Sequence, residues 1–171
     1  MELVERIREV LSAELNPDGI LEILKREHRE VSALMDHVEQ SKPGAPARTS
    51  TFEEIASTLL AHVKAEDEVF YPALDKIEAT HGMALEAHEE HHVIEVLVAE
   101  LRAIQVRGEA WMAKFHVLTE NVDHHVKEEE DKFFPKARTV LAAAHQVEMA
   151  TAYAAARDRH LAGRTTHSEP S

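Results

Sequence analysis

Residues 62–72 read HVKAEDEVFYP, and residues 125–135 read HVKEEEDKFFP. Each copy sets a Glu four positions after its His, an aromatic residue four further on, and a proline at the end. On an α-helix that spacing keeps the three side chains on one face. Upstream of the first copy, Phe52, Ile55 and Leu59 lead into His62, Glu66 and Phe70 at steps of three and four. Upstream of the second, Trp111, Phe115, Leu118 and Val122 lead into His125, Glu129 and Phe133. Both polar pairs therefore continue an apolar stripe, and stripes of this period face a core. His124 and Glu128 instead join Val117 and Asn121 on a more polar face.

Two other stretches carry an inward histidine. Leu24, His28, Val31, Met35 and Val38 fall in one row, with His37 outside it. Ile94, Val98 and Leu101 define a second apolar face; three residues back stands His91, and three further back His88. His92 points largely away from that face, although His88 and His92 at i and i+4 form an alternative ligand pair.

The breaks between these stripes predict helices and little else. NPDG at 16–19 stops a first amphipathic stretch (Leu3, Val4, Ile7, Val10, Leu11) and offers Asp18 as an N-cap. KPGAPARTS at 42–50 reads as a loop, with Thr51 and Glu54 as a capping box for the helix that ends near Pro72. Gly82 and Gly108 bracket the next helix, and Pro135 interrupts or ends the one after it. With no β-alternation, the expected fold class is all-α: an antiparallel, up-down-up-down four-helix bundle with additional N-terminal and C-terminal helices. The expected organisation is a helix over 1–16, the bundle over 18–136, an alanine-rich helix over 137–161 and a flexible tail over 162–171.

Composition narrows the chemistry. Asp and Glu number 32 against 19 Lys and Arg, a net charge of −13, which disfavours nucleic acid because binding phosphates needs a cationic surface. No apolar run approaches the roughly 20 residues that span a bilayer. MELVERIREV alternates charge with hydrophobics rather than forming a signal-peptide core, so a cytoplasmic location is expected. With 171 residues and no cysteine, the chain has room for one core, and any metal in it must be held by His and carboxylate.

Ionisable groups on core-facing stripes lose several kcal/mol of solvation unless something compensates them. A His and a Glu one turn apart can reach one ion, and the second carboxylate oxygen can reach another. Two such pairs on facing helices point to a two-metal centre. Imidazole and carboxylate without sulfur suit Fe, Mn, Zn, Ni or Cu, with iron leading.

These residues resemble the hemerythrin-like proteins, whose HHE cation-binding domain is a four-helix bundle around a non-haem di-iron centre. The family's bacterial pattern looks like His28, His62 with Glu66, His91, and His125 with Glu129. The flanks REHREV, EEHHVIEVLVAEL and EEEDKFFP are similar too, over about residues 18–136. The resemblance implies a metal set of His28, His62, Glu66, His88, His91, His125 and Glu129 holding two iron ions. Glu66 and Glu129 would bridge them beside an oxo or hydroxo group, with O2, peroxide or nitric oxide as the small ligand. The oxygen carriers of the family resemble HxxxH and HxxxxD where this chain has HEEHH and HxxxE; were His88 not a ligand, one iron would be more open to solvent or peroxide, which would favour redox chemistry, such as catalase-like peroxide removal, over carriage. Iron storage and redox sensing are the further alternatives.

The remaining features read as structural. The FYP and FFP ends read as packing residues and a helix stop, with Tyr71 read first as packing and, as the alternative, as an acid or redox group that reaches a site. EEED at 128–131 is a solvated face from which only Glu129 turns inward, and His37, His81, His116, His145, His160 and His167 are surface residues. The first and last helices cover the bundle or support a homodimer.

Overall fold

The structure, a computed structural model, describes residues 19–42, 45–104 and 108–165. The expected helix over 1–16, the Asp18 cap, His167 and the tail beyond residue 165 lie outside the described residues. Helix α1 spans Ile20–Gln40 and α2 Pro46–Ala65; α2 continues through a wide turn, Glu66–Phe70, into the short α3, Tyr71–Asp75. After α4, Glu78–Ala103, the pattern repeats: α5 spans Glu109–Glu128, a second wide turn Glu129–Phe133, and α6 Phe134–Val140. Helix α7, Ala143–Thr165, packs against α1 and α2. Four long helical rods thus form a bundle and α7 covers one side; the described residues contain no strand.

Several boundaries differ from expectation, each for a local reason. Helix α2 begins at Pro46 rather than Thr51, because proline's fixed φ and missing N–H suit the first helical turn. Thr51 and Glu54 accordingly lie inside the helix. Gly82 sits within α4 instead of before it. Its cost of about 1 kcal/mol relative to alanine is offset by tertiary packing of Thr80, Ala84 and Ala87, all buried on the same helix. The alanine-rich helix starts at Ala143, not 137, since the rod continues past Pro135 to Val140 before Leu141 turns extended.

The two wide turns explain how helices run through Pro72 and Pro135. The Tyr71 N–H bonds the Glu66 carbonyl and the Phe134 N–H bonds the Glu129 carbonyl, each five residues back. An i→i+5 turn takes up one extra residue, which relieves the clash of a proline ring with the preceding turn. It also corrects the drift that steps of four accumulate on an α-helix, so Phe70 and Phe133 stay buried below Glu66 and Glu129.

The core divides into two apolar clusters. One holds Leu21, Leu24, Phe70, Leu74, Phe133 and Phe134; the other holds Met35, Phe52, Leu59, Ile94, Trp111 and Phe115. On every rod the inward His or Glu lies in sequence between a residue of the first cluster and a residue of the second. The polar groups therefore form one layer across the bundle, closed above and below by hydrocarbon.

Candidate metal centre

Six side chains from the four rods meet in that layer: His28, His62, Glu66, His91, His125 and Glu129, each at most 6% exposed. Glu66 Oε2 lies 3.2 Å from His62 Nε2 and 3.3 Å from His91 Nε2. Glu129 Oε2 lies 3.3 Å from His28 Nε2 and 3.5 Å from His125 Nε2. The Nε2 atoms of His91 and His125 are 3.1 Å apart. Two ligand triads result, His28–His62–Glu66 and Glu66–His91–His125, with Glu66 common to both.

Each of the four histidines turns its Nδ1 outward to a carboxylate. Nδ1–H donates to Glu130 from His28 (2.8 Å), to Glu27 from His62 (2.9 Å), to Asp67 from His91 (3.0 Å) and to Glu90 from His125 (2.8 Å). A carboxylate against Nδ1 fixes the proton there and leaves the Nε2 lone pair facing the centre. The acids pass around the bundle in sequence: α1 supplies Glu27 to a histidine of α2, whose wide turn supplies Asp67 to α4. Helix α4 supplies Glu90 to α5, whose wide turn supplies Glu130 back to α1. The ring closes.

Register underlies this arrangement. His91 follows His28, His125 follows His62, Glu129 follows Glu66, and Pro135 follows Pro72 at the same interval of 63 residues. Glu27 and Glu90, and Asp67 and Glu130, obey it too. The centre is therefore built from two equivalent hairpins, each giving one Glu and two His. Tyr71 and Phe134 occupy equivalent positions but differ. The Tyr71 hydroxyl donates to Glu129 Oε1 at 2.8 Å and lies 3.2 Å from His91 Nε2, whereas Phe134 stacks on His28 with ring centroids 5.8 Å apart.

The charges within the layer are unequal. Burial and the neighbouring Glu129 push the Glu66 carboxyl well above the ordinary carboxylate range. Burial also works against ionised Glu129, but His125 and His28 outweigh it and hold its pKa at about 2. Burial disfavours charge on His28, yet Glu129, Glu66 and Glu130 raise it to about 9. His62 falls to about 4, since burial prevails over its bond to Glu27. Burial, then the charges of Glu129 and Glu66, raise the Tyr71 hydroxyl well above its usual value.

A cation suits these groups. His28 Nε2, His62 Nε2, both oxygens of Glu66 and Glu129 Oε2 are buried and make no hydrogen bond. Such orphaned atoms are costly and rare in a core. All five belong to the converging set, and nitrogen and oxygen atoms only 3.1–3.5 Å apart are the approach expected of ligands to shared ions.

The family model described as the hemerythrin HHE cation binding domain matches residues 19–137. The chain belongs to this family. A crystal structure of a hemerythrin HHE cation-binding domain-containing protein from Mycobacterium kansasii superposes with a TM-score of 0.77 at 21% identity, covering 87% of this chain and 91% of that one. It shares the fold. A DNA nickase of Nostoc sp. (strain PCC 7120) is 26% identical over 151 residues, covering 86% of this chain; the chain spans 42% of the nickase's length. The bundle is thus a hemerythrin HHE domain, and α7 follows the matched segment.

Of the histidines considered for this hemerythrin domain, His88 stands apart. Its side chain is 63% exposed and its Nδ1 meets Asp67 at 3.1 Å, outside the converging set. The buried row of α4 runs from His91 back to Ala87 and Ala84, so His88, about 100° around the helix from Ala87, is turned outward. His92 is also exposed, as are His37, His81, His116 and His145, while His160 is half-buried against Glu68. His124 is 62% exposed and meets Glu90 at 3.3 Å.

Sequence reasoning missed the outer carboxylates, and it assigned Glu130 to a solvated face when it reaches His28. It also ranked packing above an acid or redox role for Tyr71, whose hydroxyl reaches Glu129. A signal was available: an acid stands next to a converging residue at Glu27–His28, Glu66–Asp67, Glu90–His91 and Glu129–Glu130.

Proposed function

We propose that the chain is a non-haem di-iron protein that binds or reacts with O2, peroxide or nitric oxide. The observation that carries this reading is the pair of buried His/Glu triads sharing Glu66. His28 and His62 would hold one ion, His91 and His125 the other, and Glu66 and Glu129 would serve both. Iron, when bound, would supply the redox chemistry.

The surrounding residues favour a small ligand. Val31, Leu59, Val122 and Val126 line a cavity of ≈ 10 Å³ beside His28, His62 and His125. That is about the space of one water, and a ligand held there is a small one. Tyr71 lines an outer groove of ≈ 210 Å³ with Asp67 and His88. Its hydroxyl keeps a proton beside Glu129 and His91, where it can donate to a ligand oxygen.

Anaerobic loading with ferrous iron, followed by metal analysis and visible spectra under O2 and then peroxide, tests the proposal. About two irons per chain with a spectrum that responds to either oxidant supports it. A stable reversible O2 band indicates carriage, and sustained O2 evolution from peroxide indicates catalase-like turnover. Failure to take up iron rejects it.

A further inference from the structure

Helix α7 lies beyond the matched segment, 19–137, yet it reaches the metal layer. Tyr153 is fully buried; its hydroxyl donates to Glu27 Oε2 at 2.5 Å and lies 2.8 Å from His62 Nδ1. One turn on, Arg157 binds the other oxygen, Glu27 Oε1. Glu27 in turn accepts the His62 Nδ1–H at 2.9 Å. The helix is seated closely: a Cβ at Gly19 would come within 3.1 Å of Gln146 Cβ.

The internal repeat supplies a comparison within the same molecule. Glu90 stands to His125 as Glu27 stands to His62, but its other neighbour is the exposed His124. The side chains of Glu90, Asp67 and Glu130 are 19%, 15% and 30% exposed, whereas that of Glu27 is 6% exposed. Solvent can orient the first three acids. Glu27 has lost that solvent, and the phenol and guanidinium of α7 replace it. A buried carboxylate with both oxygens occupied has one orientation, and the imidazole bonded to it inherits that constraint.

We propose that Tyr153 and Arg157 are positioning residues for one of the two metal positions. Through Glu27 they lock the His62 ring, so α7 sets the affinity of the ion held by His28 and His62 and leaves that held by His91 and His125 unchanged. This rests on the two-ion reading above. Helix α7 is then a part of the ligand cage, and not only a cover.

Co(II) titration of the metal-free full chain, followed by visible absorption and metal analysis, tests this. Wild-type protein should take up two ions. Tyr153→Phe and Arg157→Gln should each weaken one binding step by about ten-fold and change that step's absorption spectrum, with the other step within about two-fold. Arg159→Gln removes a different α7 contact, to Glu68, and should leave both steps unchanged. Melting of the metal-free variants checks folding, and Arg157, 30% exposed, carries the measurement should Tyr153→Phe not fold. Equal weakening of both steps in a folded variant, or of neither, overturns the assignment while the two-ion reading stands. A wild-type chain that binds no metal removes both.

Discussion

Glu130 and His28, 102 residues apart in sequence, meet at 2.8 Å and close the ring of carboxylates around the metal layer. The contact joins the last rod of the bundle to the first. A ligand histidine held in this way has its ring plane and tautomer set before any ion arrives. Glu130→Ala should therefore weaken metal binding by about ten-fold, the low end for such partners because water can reach this acid. Glu128→Ala, at a neighbouring surface acid paired with Lys132, should change it less than two-fold. Competition with a chromophoric chelator measures both, and equal effects would remove the role assigned to Glu130.

The shared carboxylates make a stronger prediction about stoichiometry. Glu66→Ala or Glu129→Ala should lower metal content by about a pair of ions, whereas His124→Ala should leave it intact. Elemental analysis after loading and desalting decides it. Loss of one ion from either Glu variant would mean that the carboxylates do not bridge.

The metal-free protein should lose stability in both acid and alkali. Burial disfavours ionised Glu27, but His62, Tyr153 and Arg157 hold its pKa at about 2 against an ordinary 4.5. A depressed carboxyl contributes stability above 4.5 that is lost as pH falls through about 2. His28, raised against the effect of burial to about 9, contributes below 6.5 and loses that contribution as pH rises through 9. Each ten-fold change in proton affinity is worth about 1.4 kcal/mol. Urea midpoints of chelator-treated protein from about pH 2 to 10 give the profile. A flat response between 6.5 and 9 would show that His28 is not held in its charged form.

Tyr71→Phe keeps the buried ring and deletes one hydroxyl. Metal content should change little and the metal-free protein should lose stability as Glu129 Oε1 loses its donor, while the rate of reaction with peroxide or O2 should fall by about ten-fold or more, the scale of a positioned proton donor. Stopped-flow absorption of the iron-loaded variant is the measurement. Unchanged kinetics would confine Tyr71 to packing.

Phe52 lies wholly buried, edge-on to Trp111 with centroids 5.1 Å apart. Phe52→Ala should cost about 3–5 kcal/mol in denaturant unfolding without altering metal stoichiometry, because it sits in the cluster far along α2 from His62.

Much of this molecule was readable from the repeated peptide. The stripe through Leu59, His62 and Glu66, and its counterpart through Val122, His125 and Glu129, placed the polar pairs inward because helical period depends only on residues of the same rod. Helix ends were less legible. Pro46 and Gly82 resemble breakers until tertiary packing is known, and a proline preceded by an i→i+5 turn does not end a rod. The outer carboxylates were hardest, since every one of them serves a histidine on another rod. Glu130 belongs to a run of acids, and only its place after Glu129, matching that of Asp67 after Glu66, distinguishes the member that meets His28.

The spacing of His62, Glu66 and Pro72, repeated at His125, Glu129 and Pro135, also constrains how this chain can change in length. Insertions between Gln40 and Pro46, or between Ala103 and Glu109, would fall outside the rods and leave the layer in phase. A single residue gained between His62 and Glu66 would swing Glu66 by about 100° and take Asp67 away from the His91 imidazole. Homologues built on this plan should therefore differ in the spans joining hairpin arms while tolerating no indels in the eleven-letter cassette.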